Sequence, residues 1–175
     1  MKLASLKSTS SSDGELIIVS QDNQKAVRAS AISPHLRGAI EDWSRTEPLL
    51  KNLNRQLNAN EVADAFPVPI KDLHAPLPRS FQWIDGSAFI HHVKLVRMAR
   101  KAPLPETLET IPLMYQGGSD DFLAPTDPIP QVDFSHGTDF EGEVCVITDF
   151  VPMGTGPRKA LEHIKLILLC NDVSL

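Results

Sequence analysis

Apolar residues cluster in the first part of the chain as short runs. Leu3-Ala4-Ser5-Leu6 and Leu16-Ile17-Ile18-Val19 flank the polar turn Lys7 to Gly14, and Ala26-Val27-Arg28-Ala29 follows, which predicts three short strands. Ser33-Pro34 then predicts a helix start with proline at the first helical position, and Leu36, Ile40 and Trp43 recur at helical spacing. The spacing continues through Leu49, Leu50, Leu53 and Leu57, with a bend or break expected at Pro48, because proline removes a helix donor and clashes with the preceding turn.

Pro67, Pro69, Pro76 and Pro78 mark an extended connector, so a small α+β domain over 1–73 is expected to precede a second domain over 74–175. In the second part the pattern predicts a helix from Ser87 to Arg100, a turn at Tyr115-Gln116-Gly117-Gly118, and a strand through Asp139 to Ile147. Pro157 opens a short helix, Arg158 to His163, followed by a strand ending at Asp172. Leu166-Ile167-Leu168-Leu169 is apolar on both faces, the signature of a strand inside a sheet, and the chain ends three residues after Asp172. A partner is therefore expected to supply the missing cover, failing which the chain folds poorly.

The candidate chemistry lies on the acidic residues of these apolar segments. Alternation along a strand puts Glu141 and Glu143 on one face, which Cys145 and Ile147 continue. Two carboxylates on an apolar face repel, and burying them is costly unless a positive charge lies between them. The alternative is a half-exposed strand whose two Glu meet water or pair with Arg79 or Lys165. Asp85, in Phe81-Gln82-Trp83-Ile84-Asp85-Gly86-Ser87, and Asp172, in Asn171-Asp172-Val173-Ser174, lie in similar settings, where an Asp also serves as turn former or cap. As a set, Asp85, Glu141, Glu143 and Asp172 offer only oxygen, which suits Mg²⁺, Mn²⁺ or Ca²⁺ and not structural zinc.

Composition narrows the partners. A net charge of −5 without a basic stripe argues against nucleic acid, and Lys94, Arg97, Arg100 and Lys101 read as a helix face, with an anionic substrate as the other reading. No apolar run is long enough to span a bilayer and no signal sequence is evident, so a cytoplasmic protein with no membrane partner is expected. Cys145 and Cys170 lack CxxC spacing and read as buried free thiols of a reducing compartment.

With these residues in view the chain resembles the fumarylacetoacetate hydrolase family, in the bacterial branch with a compact extra N-terminal domain. The resemblance rests on the joint order of His74-Ala75-Pro76-Leu77-Pro78-Arg79, Gln82 to Ser87, Met114-Tyr115-Gln116-Gly117-Gly118-Ser119-Asp120-Asp121-Phe122, Asp139 to Glu143 and Asn171 to Ser174. It implies an α+β protein: a small N-terminal α+β domain followed by the first part of a β-rich catalytic domain. It also implies a hydrolase of aromatic-compound or tyrosine catabolism that cleaves a C–C bond in a small diketo or acylpyruvate acid, with hydratases, decarboxylases and isomerases sharing the metal site.

The resemblance places a divalent metal, Mg²⁺ first, on Asp85, Glu141, Glu143 and Asp172, and a general base on His92, seven positions after Asp85. His91 is the competing histidine; in a helix the two point about 100° apart. Tyr115 corresponds to a tyrosine that contacts substrate, and Arg100, with Arg97 and Lys101 competing, to an arginine that holds a substrate carboxylate. A homodimer is implied for a full-length form. The family's catalytic domain continues well past Leu175, with a lysine for the developing enolate and a carboxylate that orients the histidine. This chain is therefore expected to be a fragment without hydrolase activity of its own, whose alternative role is association with another subunit.

Overall fold

The computed structural model describes residues 1–118 and 120–174, so Ser119 and Leu175 lie outside the described residues. The fold is α+β, as the resemblance implies. It forms two compact units, one of residues 1–78 with 122–175 and one of residues 79–121.

The first unit begins with β1 (Lys2–Leu6), β2 (Glu15–Val19) and β3 (Lys25–Arg28), the three strands the apolar runs predict. A fourth, β4 (Phe66–Pro67), completes an antiparallel sheet of order β1-β2-β3-β4. Two residues containing a proline give no alternation to detect, and only their pairing with Lys25 and Ala26 makes them a strand. Gly14 closes the β1–β2 turn at φ +70°, and a Cβ there would lie 2.6 Å from the Leu6 carbonyl oxygen, so both conformation and close approach require glycine.

Helices α1 (Leu36–Glu41) and α2 (Trp43–Asn58) connect β3 to β4 and cover one face of the sheet. Leu16, Ile18, Val27, Leu36, Ala39, Ile40, Leu50 and Leu57 form the resulting core. The opposite face buries Leu6, Ile17, Val19 and Ala26 under Phe66, Val68 and Leu73. Strand β2 is thus covered on both sides, which is why its sequence is an unbroken apolar run.

Two helix boundaries differ from the expected ones. The first helix starts at Leu36, not at Pro34, because His35 Nδ1 accepts from the Gly38 amide and makes His35 the cap. The break expected at Pro48 falls instead at Asp42. Its carbonyl accepts the amides of Arg45 and Thr46, while the buried Thr46 hydroxyl donates to the Ala39 carbonyl at 2.7 Å, fixing the corner between the helices. Pro48 stands inside the continuous α2.

The rest of this unit is built on β7 (Gly142–Thr148) and β8 (Ile164–Asn171), an antiparallel ribbon with Val144 opposite Leu169 and Ile147 opposite Leu166. Between them lie α4 (Pro157–Ala160), with proline in its first turn, and a single 3-10 turn to His163. The cross-strand pair Ile147 and Leu166 packs against the helix-covered core. The expectation that Leu166 to Leu169 lies inside a sheet is not met among the described residues. Strand β8 pairs only with β7, and Ile167 and Leu169 on the far face are 72% and 83% exposed.

The second unit holds β5 (Ile84–Ser87), α3 (Ile90–Ala99) and β6 (Leu113–Gln116), with β5 and β6 antiparallel. The expected helix start at Ser87 moves to Ile90 because Ser87 pairs with Leu113, and the expected turn at Tyr115-Gln116 is the end of a strand. Among the described residues no helix is long and apolar enough to cross a membrane.

Candidate metal centre

The register of the β7–β8 ribbon puts Glu143 opposite Cys170 and Cys145 opposite Leu168, all on the face that carries Ile147 and Leu166. The pairing runs on past the strand ends. The Asp172 amide donates to the Glu141 carbonyl at 2.9 Å, and Asp139 bridges to Ser174. Glu141 therefore stands opposite Asp172, next to Glu143 opposite Cys170. Carboxylate oxygens of Glu143 and Asp172 lie within 4.8 Å of one another, and both residues are half-buried.

The Glu141 end of this arrangement is held by residues to which sequence reasoning gave no role. The Glu141 amide donates to Asn171 Oδ1 at 3.2 Å, and Ser174 Oγ donates to Glu141 Oε1 at 2.7 Å. The dipeptide Asn171-Asp172 thus joins two tasks: one side chain fixes the facing backbone and the next offers an oxygen. The signal for Asn171 and Ser174 was their place in the same short motif, but only the register shows what they hold.

Cys145 and Cys170 flank the carboxylates on the same face and are half-buried, less covered than the buried thiols expected, because the ribbon meets the core only farther along, at Ile147 and Leu166. Burial foremost, with the adjacent Cys170 and the charges of Glu143 and Asp172, pushes the Cys145 thiol up to about 12. Burial likewise raises Cys170. The donors that the fold brings together here are carboxylate oxygens. Such a set fits a hard divalent cation.

At the far end of the ribbon, Asp149 accepts from His163 Nδ1 at 2.6 Å and pairs with Lys165 at 3.0 Å. Partial burial would raise its carboxyl, but these partners outweigh it and hold Asp149 below the usual carboxylate range. This cluster closes the α4 connection: the Asp149 amide also donates to the His163 carbonyl.

In the second unit, Asp85 on β5 pairs directly with Tyr115 on β6. Asp85 is half-buried and Tyr115 is 58% exposed. His91 and His92 are both exposed in the first turn of α3, which is anchored by the buried Val93. Arg100 caps the C-terminus of α3, where its charge complements the helix dipole; Arg97 is half-buried and Arg100 exposed.

Residues 1–79 match the family described as Fumarylacetoacetase N-terminal domain 2, and residues 82–175 match Fumarylacetoacetate (FAA) hydrolase C-terminal. No curated protein sequence matches the chain. The matched domains mark enzymes of hydrolase or lyase type that generally use a divalent metal, in keeping with the oxygen donors on β7 and β8. With the two matches leaving only residues 80–81 between them, this chain belongs to the fumarylacetoacetate hydrolase family.

Proposed function

We propose that this chain carries the metal site of a hydrolase that cleaves a C–C bond in a small diketo or acylpyruvate acid, with Asp85, Glu141, Glu143 and Asp172 as the residues that would hold Mg²⁺. The observation that carries the reading is the approach of Glu143 and Asp172 to within 4.8 Å in a chain of this family. Two like charges at that spacing repel, and a cation between them turns the repulsion into attraction. Bound there, the cation supplies charge that polarises a substrate carbonyl and favours a departing enolate.

Three groups of this chain take part in the remaining steps. His92 takes a proton from water, whose oxygen attacks the substrate carbonyl. The bond from that carbonyl to the neighbouring carbon breaks, its electron pair becomes the enolate, and protonation of the enolate gives pyruvate beside a carboxylic acid. Tyr115 contacts the substrate, and Arg100 pairs with its carboxylate, as a planar guanidinium does well.

Titrating the protein with Mg²⁺ and then with acetylpyruvate, followed by calorimetry, tests the reading. Acetylpyruvate binding that requires Mg²⁺ and is lost in Asp85→Asn and Asp172→Asn is expected; binding indifferent to metal contradicts it. Pyruvate and acetate released in equal amounts identify hydrolysis, whereas hydration, decarboxylation or isomerisation leaves other products.

A further inference from the structure

Trp83 directly precedes the strand that carries Asp85, and the β5–β6 register extends to it, because the Gly117 amide donates to the Trp83 carbonyl at 2.9 Å. Trp83, Asp85 and Ser87 therefore share one face of the ribbon with Gly117, Tyr115 and Leu113. Trp83 faces the one position in that row without a side chain. Its indole fills the space: a Cβ on Gly117 would lie 1.8 Å from Trp83 Cε3 and 2.6 Å from Cζ3. A large aromatic laid across a facing glycine is a recognised way of covering bare backbone in a sheet. From there the indole meets the Tyr115 ring edge to face, with centroids 5.8 Å apart and planes at 78°.

Tyr115 is more than half exposed, and a tyrosine so placed has several rotamers open to it. The indole on one side restricts that choice, while Asp85 lies directly across the strand. We propose that Trp83 is the positioning residue of the substrate site: it sets the Tyr115 ring beside Asp85, and Gly117 is glycine because the indole occupies the place of its side chain. The inference rests on the reading of Tyr115 as a substrate contact.

Tyr115 is the only tyrosine in the chain, so ¹³C-labelled tyrosine gives a single ring signal. In the wild type that signal is shifted by the indole ring current, and it moves again as acetylpyruvate is added with Mg²⁺. In Trp83→Ala, and independently in Gly117→Ala, the first shift collapses toward the free-tyrosine position and acetylpyruvate binds about 10-fold more weakly, the scale of one aromatic pair. Trp83→Phe retains most of both effects. A Tyr115 signal unchanged in both Trp83→Ala and Gly117→Ala overturns the proposal, as does a signal that collapses while acetylpyruvate affinity stays at the wild-type value. A wild-type signal that ignores the ligand removes Tyr115 as a substrate contact, a separate failure that takes the proposal with it.

Discussion

Glu141 and Asp172 face each other across the ends of two strands, joined by one hydrogen bond of 2.9 Å from the Asp172 amide to the Glu141 carbonyl. That bond extends the register by which Glu143 opposes Cys170, so three carboxylates share one face without any of them being adjacent in sequence. The side chain of Asn171 secures the junction by accepting the Glu141 amide.

Asn171→Ala removes that acceptor and leaves the Glu141 amide to water. We expect a stability loss of about 0.5–1.5 kcal/mol by urea unfolding, the usual net contribution of one hydrogen bond. Mn²⁺ affinity, measured by the paramagnetic signal of free ion, falls several-fold in the same variant. Unchanged affinity would show that the metal donors do not depend on this junction.

Leu50 and Leu49 are neighbours on α2 with opposite fates: Leu50 is fully buried and Leu49 is 46% exposed. Leu50→Ala is expected to cost ~2–5 kcal/mol, since it opens a cavity in the helix-covered core. Leu49→Ala should cost well under half as much, because about half of its surface already meets water. Chemical denaturation of both variants checks the packing of α2 on the sheet.

The Asp149 carboxyl titrates lower when folded than when unfolded, despite partial burial, because His163 and Lys165 donate to it. For a depressed acid the stabilisation is complete above the unfolded value, near ~3.9, and is lost as pH falls through the lower folded value. Stability measured from about pH 6 down to about pH 2.5, through and below the ordinary carboxylate value, should therefore fall less steeply with acid in Asp149→Asn than in the wild type. Parallel curves would mean that the cluster adds nothing to acid stability.

The strands β1 to β3 were legible in the sequence as short apolar runs bounded by turn residues, and the general course of α2 as apolar residues recurring at helical spacing. Features decided by side chains acting on distant backbone were not. His35 moves a helix start, Thr46 fixes a corner seven residues away at Ala39, and Lys25 and Ala26 make a strand of Phe66 and Pro67. At the site, alternation places Glu143 with Cys145 and Ile147, and the family motif singles out Asp172. That Asn171 and Ser174 hold Glu141, and that Trp83 occupies the space beside Gly117, follows only from register, which no local pattern encodes.

The most direct measurement is calorimetric titration of Mn²⁺ into the protein and into Glu143→Gln, Asp172→Asn and the double variant, with thermal unfolding as a check on folding. Each substitution preserves shape and removes one charge. We predict a single site in the wild type, at least ~10-fold weaker in each single variant, in line with the loss of one charged oxygen donor, and absent in the double variant. Equal Mn²⁺ binding by the wild type and the folded double variant would contradict a metal centre on Glu143 and Asp172.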